Sequence, residues 1–128
     1  MVKPPFRTGL QSVRAEPEHI HIRGYGEAAG IFEVPSRRQL ETLDDLHIWD
    51  APLLDMRFSY RPEKPLYLVV VRAFRLPATV TIANTLEYAG CKSWVPLKEP
   101  VDIIGATAAL SDTQIDNFKE RISTAFGV

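Results

Sequence analysis

The chain has one cysteine in 128 residues, no apolar run longer than residues 66–71, and no surplus of charge of either sign. Each absence excludes something. A lone Cys91 cannot form an internal disulfide or a multi-cysteine zinc site. The apolar run is far short of the roughly 20 residues that a bilayer-spanning helix needs. The opening Met1-Val-Lys-Pro-Pro has no apolar stretch of the secretory kind, so a cytoplasmic location with no membrane partner is expected. With 15 basic against 16 acidic residues, the net charge of −1 argues against a globally electrostatic nucleic-acid binder. Nor is there a cofactor signature: Gly24-x-Gly26-x-x-x-Gly30 has the wrong spacing for a dinucleotide loop, and β-like residues follow it. What is present, 45% hydrophobic and 24% charged residues, is the balance of one globular domain.

Residues 1–18 contain Pro4, Pro5 and Pro17 without a hydrophobic period and read as an extended arm, leaving 19–128 as a single α+β domain. Ile20 and Ile22 alternate with His19, His21 and Arg23. Gly24-Tyr25-Gly26 interrupts and residues 28–34 resume, which predicts two short strands or one bulged strand. Ser36 and Gln39 form a capping box ahead of Leu40, Leu43 and Leu46, predicting a helix over about 37–45. Asp50 with Pro52 predicts a second short helix. Residues 66–76 form the strongest strand and should be central. After Pro77, Val80 and Ile82 alternate with Thr79 and Thr81 in a further strand, and residues 93–97 make a last short one. Ser111 and Gln114 cap a terminal helix with Ile115, Phe118, Ile122 and Phe126 on one stripe and Gly127 as its stop.

Few constellations carry chemistry. His19 and His21 share a strand face but lack a visible third ligand, so no metal site is expected. His47 lies beside Asp44, Asp45 and Asp50, which should raise its pKa. It could act in acid–base chemistry or simply hold a helix end. Cys91 could pair with His47 as nucleophile and base, although a packed thiol is the simpler reading. Charge is unevenly placed: residues 57–75 hold five basic side chains and one acid, whereas 33–55 hold six acids and two arginines. Interleaved with Phe58, Tyr60 and Tyr67, the basic segment has the ingredients of a nucleic-acid surface. The alternative is that the acidic and basic segments neutralise each other. Arg72, on a strand face with Leu68, Val70 and Phe74, is expected in an internal ion pair with an acid of the helical region.

His47-Ile-Trp49, Arg57 with Tyr60-Arg61-Pro62, Pro65-Leu66-Tyr67 before the strand ending in Arg72, and Glu87-Tyr88-x-Gly90-Cys91-x-Ser93-Trp94 resemble the carboxy-terminal half of a bacterial domain family of unknown function, over about residues 20–126. The resemblance implies no activity. Because longer members have an amino-terminal half without a counterpart here, it implies a sheet that could be completed by another copy. The order of elements is more loosely similar to PUA-like barrels, whose relatives bind RNA or modified bases beside the sheet, an analogy at the level of fold alone.

These readings converge on a small curved mixed sheet or partial barrel with flanking helices. A binding module for RNA or single-stranded DNA is expected rather than an enzyme, without cofactor or metal. His47, Trp49, Arg57, Arg61, Tyr67, Tyr88 and Trp94 are the expected cleft, with the arginines on phosphate and an aromatic ring on a base. The alternatives are a homodimeric assembly subunit pairing through an edge strand, and a hydrolase built on Cys91 and His47.

Overall fold

A computed structural model describes residues 2–6, 17–90 and 92–128. Strand β1 (His19–Glu33) is followed by helix α1 (Arg37–Glu41), a 3-10 turn at Asp44–Leu46 and helix α2 (Ala51–Ser59). Strand β2 (Tyr67–Ala83), a 3-10 turn at Leu86–Tyr88, strand β3 (Thr107–Ala108) and helix α3 (Asp112–Phe126) complete the order. The sheet runs β1-β2-β3. Phe74 and Arg75 of β2 face Ala108 and Thr107 of β3 in antiparallel register. The Val34 N–H donates to the Leu66 carbonyl and the Asn84 N–H to that of Glu18, so β1 and β2 also run in opposite directions. The fold is thus a mixed α and β arrangement, its pairings antiparallel rather than mixed, and among the described residues β1 and β3 are open edges. No helix of the described residues is long and apolar enough to cross a membrane.

Local chemistry explains most boundaries. Ser36 accepts from the Gln39 N–H, Asp50 from the Leu53 N–H ahead of Pro52, and Ser111 with Gln114 forms a complete capping box. Gly127 closes α3 at φ 72°, in the left-handed region. Helix α1 is shorter than its leucine spacing predicts. The Thr42 hydroxyl bonds back to the Gln39 carbonyl at 2.7 Å, and Leu43 and Leu46 continue in tighter bonds to Leu40 and Leu43.

The glycines at 24 and 26 do not split β1, which is a single strand, one of the two forms expected for it. Nor does Pro77 divide β2: the Ala109 N–H bonds Ala73, so residues 73, 75 and 77 turn their backbone groups toward β3, which ends opposite Arg75. The nitrogen that cannot donate therefore lies past the end of the ladder, beside a turn at Gly105 (φ 81°). Residues 93–97 form no strand; beside them the Lys98 N–H donates to the Tyr88 hydroxyl at 3.0 Å instead of to a ladder partner.

The chain divides into two compact units. One comprises residues 2–6, Ala28–Val71 and Ser111–Val128. Its core is Leu40, Leu43, Leu54, Val70, Ile115, Ile122 and Phe126, with Phe32, Phe58 and Leu68 packed against them. Each such side chain contributes about 2 kcal/mol on burial. The other comprises residues 17–27 and Arg72–Leu110. There Leu76 is buried and Tyr25 stacks on Phe74 with ring centroids 4.8 Å apart. Gly24 lies so close to β2 that an added Cβ would stand 2.5 Å from the Phe74 carbonyl oxygen.

Candidate functional site

Of the six acids of residues 33–55, Glu41, Asp44, Asp45, Asp50 and Asp55 are engaged within the first unit, but not with the basic segment that follows them. Arg37 reaches both Glu41 (2.9 Å) and Asp55 (3.0 Å). Lys3 pairs with Asp44 at 3.1 Å. Arg121 donates two bonds to Asp45, at 2.8 and 2.9 Å, and holds that carboxyl below the usual carboxylate range. Asp50 caps α2. Arg57, Arg61 and Lys64 are exposed, and no carboxylate among the described residues lies within ion-pair distance of them. Neutralisation by the acidic segment, the alternative that the charge pattern allowed, is therefore not what these three cations do.

They lie on one short stretch of chain. Arg57 is in the last turn of α2, where its charge complements the helix dipole. Tyr60, the extended C-cap of α2, and Arg61 follow it directly after the helix ends at Ser59. The Arg61 guanidinium lies over the exposed Tyr60 ring at 5.3 Å from its centroid. Arg61 has φ 63°, a left-handed conformation in a residue with a full side chain. The Lys64 N–H bonds the Arg61 carbonyl at 3.0 Å and closes the turn. Tyr67 then opens β2 with its side chain exposed. Phe58 instead faces the core, which removes one of the interleaved aromatics.

His47 and Trp49 stand at the other end of α2, about 13 Å away along a nine-residue helix. Val2 bridges Trp49 as an antiparallel partner, and the Lys3 N–H donates to the Ile48 carbonyl at 2.8 Å. The Lys3 ammonium donates to the carbonyl oxygens of Asp44 and His47. His47 Nδ1 accepts the Trp49 N–H at 3.2 Å, so the neutral ring carries its proton on Nε2. Nε2 is 3.9 Å from Asp44, too far for a hydrogen bond. The expected upward pKa shift is corrected here: burial first, then the Lys3 charge, lower it, and Asp44 offsets them only in part.

Tyr88 and Trp94 belong to the second unit. The Tyr88 hydroxyl accepts the Lys98 N–H, while Lys98 pairs with Glu87 at 3.3 Å. Trp94 is 91% exposed. Arg72, also in this unit, has its guanidinium 5.6 Å from the Phe74 ring centroid. His21 Nδ1 meets the Thr81 hydroxyl at 2.9 Å. Among the described residues no group of three or more His, Cys, Asp or Glu could hold a metal ion. Cys91, and with it the nucleophile of the hydrolase alternative, lies outside the described residues. An open groove of about 550 Å³ lined by Thr42, Asn117, Arg121 and Thr124 contains none of the expected site residues.

Within the first unit the expected cleft residues fall at opposite ends of α2, His47 with Trp49 at one and Arg57 with Arg61, ahead of Tyr67, at the other; Tyr88 and Trp94 belong to the other unit. Tyr60 and Lys64 join Arg57 and Arg61. Their signal in the sequence is the Tyr-Arg pair and the run of uncompensated cations.

A family model described as a domain of unknown function, DUF1802, matches residues 1–121. No curated protein and no solved structure matches the chain.

Proposed function

Since the chain belongs to the DUF1802 family, whose description assigns no activity, we propose from its own chemistry that it is a binding module for RNA or single-stranded DNA. The observation that carries this reading is the stretch from Arg57 to Tyr67, where three cations lack carboxylate partners among the described residues and one is stacked on an exposed tyrosine. Guanidinium groups in that state suit phosphate oxygens, and exposed rings suit bases, which is the combination that single-strand binders use. The test is fluorescence anisotropy with labelled single-stranded RNA and DNA at several salt concentrations. Arg57→Gln with Arg61→Gln should weaken binding and flatten the salt dependence by about 0.7 in log–log slope for each phosphate no longer neutralised. Absence of binding by the unaltered protein at low salt refutes the proposal.

A second reading, a homodimeric assembly subunit, has one observation in its favour: β1 is 15 residues long and has no strand on its outer side among the described residues. Such an edge can accept another strand. Light scattering that finds a monomer at high protein concentration removes this reading.

A further inference from the structure

On the side of the sheet away from the core of the first unit, Tyr67, Val69 and Val71 of β2 are 58%, 46% and 53% exposed, and Ile31 of β1 is 65% exposed. Their neighbours Phe32, Leu68 and Val70 point the other way, into the core. The bond from the Val34 N–H to the Leu66 carbonyl sets the pairing, which puts Ile31 opposite Val69 and Glu33 opposite Tyr67. Tyr67, Val69 and Ile31 therefore form one flat apolar patch with an aromatic ring at one end. That end adjoins the basic turn: Lys64 precedes Tyr67 by three residues, a Cα separation of at most about 10 Å.

We infer that this sheet face is the base platform of a single-stranded nucleic acid whose phosphates lie on Arg57, Arg61 and Lys64, an inference that rests on the nucleic-acid reading above. Charge complementarity selects the occupant. A purely apolar partner would leave the adjoining cations unmatched, and a duplex would bring phosphates but no free base faces to the patch. An unpaired strand supplies both, with one base stacked on Tyr67 and the next over Val69 and Ile31, since side chains two residues apart on a strand face are about 7 Å apart. Glu33, exposed and opposite Tyr67, offers a carboxylate acceptor to the exocyclic amino group of a stacked base.

The experiment compares a labelled single-stranded RNA with a duplex of the same sequence, using the full chain and the variants Tyr67→Ala, Tyr67→Phe and Ile31→Ser. Tyr67→Ala should lose on the order of tenfold in affinity for the single strand while its salt slope and its weaker duplex binding stay unchanged. Tyr67→Phe, which keeps the ring, should bind as the unaltered protein does, and Ile31→Ser should show a smaller loss. Salt-dependent binding that Tyr67→Ala leaves intact, or equal affinity for duplex and single strand, overturns this inference while leaving the phosphate contacts standing. Binding to neither form overturns both. A dimer in light scattering that Tyr67→Ala dissociates gives the face to a second copy and also overturns it.

Discussion

Replacing Arg61 by glycine separates a role in binding from a role in folding, because the backbone at this position already favours glycine. Arg61 holds φ at 63°. For a residue with a β-carbon that conformation costs about 1 kcal/mol. Glycine removes this cost but loses about 0.5–1 kcal/mol through its more flexible unfolded chain. The guanidinium stacked on the exposed Tyr60 contributes a further 0.5–1 kcal/mol or so. These terms nearly cancel, so Arg61→Gly should fold with a stability within about 1 kcal/mol of the unaltered protein in urea titrations. Its affinity for single-stranded RNA should nevertheless drop, with the salt slope reduced by about 0.7 because one phosphate is no longer neutralised. Arg61→Gln should bind as poorly as Arg61→Gly, while Arg61→Lys should keep the salt slope. If Arg61→Gly costs more than about 2 kcal/mol, the arginine is part of the fold and the reasoning fails on the structural side. If it leaves the salt slope unchanged, the guanidinium does not meet phosphate and the reasoning fails on the functional side.

Two further outcomes follow from the packing. The pKa of His47 lies below its ordinary value in the folded chain, so the unfolded chain binds its proton first as pH falls. Stability from this group is complete above about pH 6.5 and is lost as pH drops from there through the folded pKa. Lys3→Met, by removing a nearby positive charge, should raise the His47 pKa in an NMR titration and make that loss shallower; an unchanged pKa would show that Lys3 does not act on the ring. Gly24→Ala should cost about 1–3 kcal/mol in urea titrations, because the new methyl would meet a backbone oxygen at 2.5 Å. Gly30→Ala should cost less, since its methyl meets the movable Phe32 ring at 3.1 Å. Equal costs for the two glycines would contradict the close approach of β1 to β2.

The parts of the fold that are legible in the sequence are those decided by neighbours along the chain. Ser36 with Gln39, Asp50 with Pro52, and Ser111 with Gln114 each satisfy amide groups within three residues, so composition and spacing suffice. The place of Pro77 depends on where β3 ends, some 30 residues away, and is not decided locally. The candidate site divides in the same manner. Arg57, Tyr60, Arg61 and Tyr67 are visible as a basic and aromatic stretch, but whether their charges are free is decided by distant partners. Asp45 is taken by Arg121, 76 residues on, and His47 is part-buried and has Lys3, 44 residues back, beside it. That is why the sequence alone suggests the wrong sign for the His47 shift: the three acids lie close along the chain, whereas burial and the opposing cation arise only from folding.

The same partner choice gives the near-zero net charge its meaning. Lys3, Arg37 and Arg121 take up four of the six acids of residues 33–55, Glu41, Asp44, Asp45 and Asp55, so the overall balance conceals cations left over at the end of α2. The stretch carrying those cations is anchored at both ends. Leu54 and Phe58 of α2 pack into the core before it, and the Leu66 carbonyl is bonded to Val34 after it. Between these anchors Pro62 and Pro65 restrict the backbone, and the Lys64 N–H closes the turn onto Arg61. A loop fixed in this way has less backbone entropy to lose when it meets a ligand, so more of each phosphate interaction is retained as affinity. The left-handed Arg61 fits this account. Its strain is sustained by the anchored turn, and the side chain it presents to solvent is one that glycine, the residue favoured by that backbone, could not supply.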